Sequence, residues 1–98
     1  MKSITPQELA ALGEHVALID IREPDEVARV RVPYATNLPM SELIARVDEI
    51  PDGAYIMCHS GGRSGRAVEY LTGKGHDVID VDGGISAWEH AGLPVERG

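Results

Sequence analysis

The chain has no phenylalanine, one tryptophan and three tyrosines, so its core must be built from Val, Ile, Leu and Ala. It has one cysteine, Cys58, and no internal disulfide can form. That excludes a disulfide-stapled secreted scaffold and fits a reducing cytoplasm. Basic residues are few: nine Lys and Arg face sixteen Asp and Glu, for a net charge of −7. Such a surface repels nucleic acid and anionic membrane, so neither is an expected partner. A small anionic substrate would then need a locally positive pocket. No run approaches the ~20 apolar residues of a membrane span. The first residues, Met1 to Glu8, lack the apolar stretch of a signal peptide. Repeats, low-complexity tracts and linker-like stretches are absent as well. What is left is 98 residues, 43 % hydrophobic and 26 % charged, read as one soluble domain spanning 1–98.

Local signals punctuate the chain. Thr5, Pro6 and Glu8 form a capping-box pattern, which predicts a helix from Pro6 to about Leu12, ended by Gly13. Val16 to Ile21 reads as a buried strand. Asp25 to Ala28 has room for one helical turn, and Pro33 to Pro39 reads as extended. Ser41 is placed to cap a helix burying Leu43, Ile44 and Val47. Pro51-Asp52-Gly53 is a turn. Ala54 to Met57 is a second strand, with Cys58 directly after it. A helix carrying Ala67, Val68 and Leu71 follows, ended by Gly73 and Gly75. Val78 to Val81 is a third strand, and Asp82-Gly83-Gly84 leads into a helix with Ile85, Ala87 and Trp88. Short apolar runs alternating with helices predict an α/β domain with a mostly parallel central sheet of about five strands and helices on both faces. Ligands of such sheets bind at the carboxyl ends of strands, where Cys58 falls.

The segment Cys58-His59-Ser60-Gly61-Gly62-Arg63-Ser64-Gly65-Arg66 is chemically dense. An isolated cysteine more often simply fills a core. A thiol attacks only as a thiolate, and an ordinary cysteine is only about 3 % ionised at pH 7. This segment offers three remedies. Gly61 and Gly62 let successive amides curl inward as an anion nest. The helix beginning near Ser64 adds its positive end. Arg63 and Arg66 add formal charge. Cys58 is therefore the candidate nucleophile, and His59, Ser60, Gly61, Gly62, Arg63 and Ser64 the candidate binding loop. His59 reads as pocket wall rather than as a base. His15, His76 and His90 are scattered without metal-ligand spacing and read as surface residues.

Cys-X-X-Gly-X-Arg followed by Ser resembles the active-site loop of the rhodanese-like sulfurtransferase family. Asp20-Ile21-Arg22-Glu23-Pro24 with Glu26 resembles the family's Asp-X-Arg-Glu segment. Ala35-Thr36-Asn37-Leu38-Pro39 resembles its Ala-X-Asn-Ile-Pro. Asp82-Gly83-Gly84-Ile85 with Trp88, and Ala91-Gly92-Leu93-Pro94-Val95, resemble its C-terminal signature. The matches run in the right order along the whole chain. One stretch departs: Val30-Arg31-Val32-Pro33-Tyr34-Ala35 stands where the family commonly has Gly-His-Ile-Pro-Gly-Ala.

The resemblance implies a rhodanese-like fold and a double displacement through a Cys58 persulfide. Sulfur would come from thiosulfate or another persulfide donor and pass to cyanide or a cellular thiol. No metal or organic cofactor is implied. Arg63 would hold the loop or the anionic donor. Asp20 would hold a loop arginine and Arg22 would brace the neighbouring segment. The remaining acidic residues, among them Glu23, Asp25, Glu26, Asp48, Glu49 and Asp52, read as solvated surface. Four residues separate Cys58 from Arg63, where related phosphatases have five, so the tighter loop favours sulfur over phosphate. Other readings are a persulfide carrier fed by a sulfur-relay protein, an arsenate reductase or phosphatase, and an interaction module. An inactive module would be free to lose its cysteine.

Overall fold

Thr5 and Glu8 cap each other: the Glu8 amide donates to the Thr5 hydroxyl, and the Thr5 amide donates to the Glu8 carboxylate. This box opens the first helix of the computed structural model, which describes Met1–Gly98. The elements are β1 (Ser3–Ile4), α1 (Pro6–Ala11), β2 (Leu18–Asp20), α2 (Pro24–Arg29), β3 (Val30–Arg31), β4 (Thr36–Asn37), β5 (Ala54–Met57), α3 (Gly62–Gly73), β6 (Val78–Val81), α4 (Gly84–His90) and β7 (Glu96–Arg97).

Five strands form one parallel sheet in the order β1-β6-β5-β2-β4. β5 lies at its centre, with Ile56 in register with Ile19 on one side and Asp80 on the other. Alternate residues of each strand face opposite ways, so the sheet carries two cores. Ile19, Ile56 and Val78 pack with Ala67, Val68 and Leu71 of α3. Leu18, Met57 and Val81 pack with Leu9 of α1 and with Ile85 and Trp88 of α4. Each fully buried aliphatic side chain contributes about 1.5–3 kcal/mol. The α/β class, the parallel five-stranded sheet and the helices on both faces are as the alternating pattern predicts.

The helix expected after Ser41 does not form. Met40–Glu42 and Val47–Glu49 are separate 3-10 turns. Leu43 is buried, but Ile44 is 68 % exposed. The Ser41 hydroxyl donates to Glu23 instead of capping. Only eleven residues lie between Pro39 and Pro51, and short helices are costly to nucleate. Arg46 holds the turns together through Glu42 and Glu49.

The Val30–Arg31 departure also has a structural reading. These residues are β3, which pairs antiparallel with β7: Val30 opposite Arg97 and Arg31 opposite Glu96. The Gly98 amide donates to the Arg29 carbonyl, extending this clamp to the end of α2. Tyr34 meets Trp88 edge-on at 6.3 Å, and its buried hydroxyl has no partner.

Candidate active site

Strand β5 delivers Cys58 to the carboxyl edge of the sheet, and α3 begins four residues later. The residue is only 1 % exposed. The Gly61 amide donates to Sγ at 3.0 Å. The thiol points at Ser64 Oγ, 3.3 Å away, and the Ser64 hydroxyl donates to the Gly61 carbonyl at 3.2 Å. Ser64 is fully buried. The loop closes this tightly because Gly61 has φ +106°, a conformation that a side chain would strain.

The amides of His59, Ser60, Gly62, Arg63 and Ser64 donate to no protein acceptor. They lie in the loop after Cys58 and in the first turn of α3, at the positive end of that twelve-residue helix. His59 and Ser60 are exposed. The loop thus presents a row of free donors beside a buried thiol.

The other side of the loop rests on α4. The amides of Ile85 and Ser86 donate to the carbonyls of Cys58 and His59 at 2.8 and 2.9 Å. The loop carbonyls therefore cap α4. A Cβ on Gly84 would run into the Cys58 carbonyl oxygen and lie 2.8 Å from the His59 oxygen. Backbone meets backbone at Gly84, while a Cβ on Gly83 would run into the Ala87 side chain, so both positions before Ile85 are glycine.

Arg63 does not reach into the loop. It donates twice to Glu26 of α2, at 2.7 and 2.8 Å. This bidentate contact holds the Glu26 carboxyl down to about 2, with help from the Glu23 amide. Glu26 is thus a structural tie rather than solvated surface. The expectation that Asp20 holds a loop arginine is corrected as well. Asp20 accepts from Arg22 Nε, Nη2 and backbone amide, within 2.7–3.1 Å. Asp20 is two residues from Arg22 and both are buried, so each charge is compensated by the other inside the fold. Arg22 in turn braces the neighbouring segment by donating to the carbonyls of Glu26 and Val30. Asn37 donates to the carbonyls of Asp20 and Arg22 at 2.8 Å each, tying β4 to the same turn.

Asp80 escaped the sequence reading. It lies on β6, on the same sheet face as Ile56 and Ser64, and is 6 % exposed. Its Oδ1 has no partner. Burial pushes its carboxyl above the usual range, and Asp82 adds to the rise. The available signal was a carboxylate at an inward position of the apolar run Val78–Val81. Trp88 is buried and donates to the Pro94 carbonyl at 2.8 Å, while His15 and His90 are exposed and His76 half-buried.

Two cavities adjoin the loop. One, of about 520 Å³, lies between α1 and α4 and reaches Ser60. The other, of about 140 Å³, is lined by Arg22, Glu26, Arg29, Val30 and His59. No helix is long and apolar enough to cross a membrane.

Known proteins are similar to this chain in sequence and in fold. A protein from Allochromatium vinosum named "Sulfurtransferase" is 44 % identical over 85 residues, covering 84 % of this chain and 79 % of that one. The thiosulfate sulfurtransferase GlpE of Vibrio cholerae is 36 % identical over 83 residues, covering 81 % and 77 %. The crystal structure of a rhodanese-related protein from Thermoplasma volcanium superposes with a TM-score of 0.91 at 32 % identity, covering 98 % of each chain. The sequence profile of the rhodanese-like domain matches residues 5–91. With that match, and with Cys58 seated in the loop between β5 and α3, the chain belongs to the rhodanese-like domain family.

Proposed function

We propose that this protein is a sulfurtransferase that carries sulfane sulfur on Cys58. The observation that carries the proposal is a buried thiol followed directly by a run of unengaged loop amides at the start of α3. The Cys58 thiolate attacks the outer sulfur of thiosulfate. A new S–S bond forms, and sulfite leaves with the electron pair of the old one. The outer sulfur of the resulting persulfide is anionic and lies among the loop amides, which stabilise it without reorganising. Cyanide or a thiolate then attacks that sulfur, and Cys58 departs as the thiolate.

Ser64 serves both halves of the cycle. It accepts from the thiol in the resting state, and by rotating its hydroxyl it donates to the thiolate. Arg63 and Glu26 anchor the loop rather than bind the donor. Asp20 and Arg22 support the same wall from behind. The four-residue spacing to Arg63, one shorter than in related phosphatases, favours sulfur over phosphate. A lone free cysteine is in keeping with a cytoplasmic setting.

Intact mass after incubation with thiosulfate tests the proposal. The parent gains one sulfur atom, which cyanide removes, and Cys58→Ser gains nothing. A parent that stays unmodified by thiosulfate, yet accepts sulfur from a persulfidated protein, is a carrier fed by a relay partner.

A further inference from the structure

An acidic chain engages most of its cations. Six of its nine make ion pairs: Lys2, Arg22, Arg31, Arg46, Arg63 and Arg97. Arg29, Arg66 and Lys74 do not. Lys74 lies over the Tyr70 ring at 5.8 Å. Arg29 alone of the three lines a cavity, the one of about 140 Å³ shared with His59, the residue directly after Cys58.

The charges around that cavity cancel except for one. Arg22 is matched by Asp20, and Glu26 by Arg63. Arg29 remains as the uncompensated charge of the lining. Its backbone is fixed by the Gly98 amide and by the β3–β7 pairing that follows it. A position in the last turn of α2 would give an arginine a favourable dipole contact on its own. That role needs neither a cavity nor a neighbour of the nucleophile. A cavity of about 140 Å³ has room for one carboxylate or sulfonate with its linking carbons.

We propose that Arg29 and His59 form an anion subsite that holds the charged end of a small thiol acceptor while its sulfur reaches the Cys58 persulfide. The proposal rests on the sulfurtransferase reading and names the acceptor class: a thiol bearing a carboxylate or sulfonate within a few bonds of its sulfur. The acceptor thiolate attacks the outer sulfur, the S–S bond to Cys58 breaks, and the acceptor leaves as its own persulfide.

Two measurements test it. The first compares alkylation of Cys58 by iodoacetate and by iodoacetamide, which differ in charge and hardly in shape. Arg29→Gln lowers the iodoacetate-to-iodoacetamide rate ratio about fivefold, equivalent to about 1 kcal/mol, and Arg29→Glu lowers it further. The iodoacetamide rate itself holds, which excludes mere loop damage. Lys74→Gln, with the same change in net charge, leaves the ratio where it was. An equal drop in both variants, or none in Arg29→Gln, overturns the subsite.

The second measurement follows transfer from the persulfidated protein to 2-mercaptoethanesulfonate and to 2-mercaptoethanol. The parent prefers the sulfonate, and Arg29→Gln loses that preference. If neither thiosulfate nor a persulfidated protein loads Cys58, the sulfurtransferase reading fails while the alkylation ratio still decides the subsite. If the persulfide forms and neither preference moves, the subsite fails and the reading stands.

Discussion

Arg63 and Glu26 meet through two parallel hydrogen bonds of 2.7 and 2.8 Å, so the first turn of α3 is bolted to α2 across 37 residues of sequence. The guanidinium and carboxylate are 37 % and 28 % exposed, so the pair contributes about 1 kcal/mol after solvent screening. Its larger effect is to fix where the loop begins.

A double-mutant cycle measures this tie. Arg63→Ala and Glu26→Gln each lower the unfolding free energy and the transfer rate. The double variant is little worse than either single one, because both remove the same contact. The pH dependence follows from the Glu26 carboxyl, held down to about 2 by Arg63. A depressed carboxylate stabilises the fold above its unfolded pKa, about 4.3, and that gain is lost as pH falls toward about 2. The Tm gap between the parent and Glu26→Gln is therefore full above pH 5 and closes through that window. A gap independent of pH would assign the effect to packing.

Asp80 has the opposite sign. Its carboxyl is raised by burial, so ionisation at neutral pH opposes folding. The group favours the fold while protonated, and that contribution is lost as pH rises through its native value. Asp80→Asn is expected to gain about 1 kcal/mol at pH 7, or ~5 °C in Tm, with the gain fading in acid. The same variant removes a negative charge from the face that carries Ser64 and Cys58, so iodoacetamide should label Cys58 faster. Thermal melts from pH 4 to 8 and alkylation rates give the two readings.

Gly84→Ala forces a methyl group against the Cys58 carbonyl in a residue already at φ +57°. Stability should fall by about 2–4 kcal/mol, combining the clash with the left-handed strain. Crystals or amide shifts of any folded remainder should show the loop displaced from α4. Gly62→Ala is the matching control, since nothing lies within 4 Å of its added carbon.

Ser64→Ala removes the hydroxyl that faces Sγ at 3.3 Å and leaves the Gly61 amide in place. Loss of one such donor is expected to slow persulfide formation about tenfold, less than loss of a principal oxyanion donor. Single-turnover mass spectrometry separates that step from transfer to the acceptor. Unchanged formation would leave the amides as the sole stabilisers.

Much of this site was legible in the sequence because its chemistry is local. Cys58, Gly61, Gly62, Arg63 and the start of α3 occupy six consecutive residues, and backbone donors need no distant partner. Strands β2, β5 and β6 were readable as apolar runs, and α1 through its capping box. Long-range polar pairing was not legible. Nothing around Glu26 or Arg63 states that they meet, and Asp20 chose the arginine two residues away. Two-residue strands such as β1, β3 and β7 carry no periodicity, and only their partners define them. The segment after Ser41 had helical spacing, but prolines at both ends left too little length.

Because β5 is flanked by β6 and β2, its amides sit in the best-shielded ladder of the sheet, yet of the donors from His59 to Ser64 only Gly61 finds an acceptor in the protein. Hydrogen–deuterium exchange should therefore change abruptly within a few residues, from the slowest amides near Ile56 to rapid ones at Ser60 and Gly62. Cys58 stands on that boundary. Occupancy of the cradle by a persulfide or an anion would register as slowed exchange confined to the loop, a reporter of loading that requires no label and no turnover.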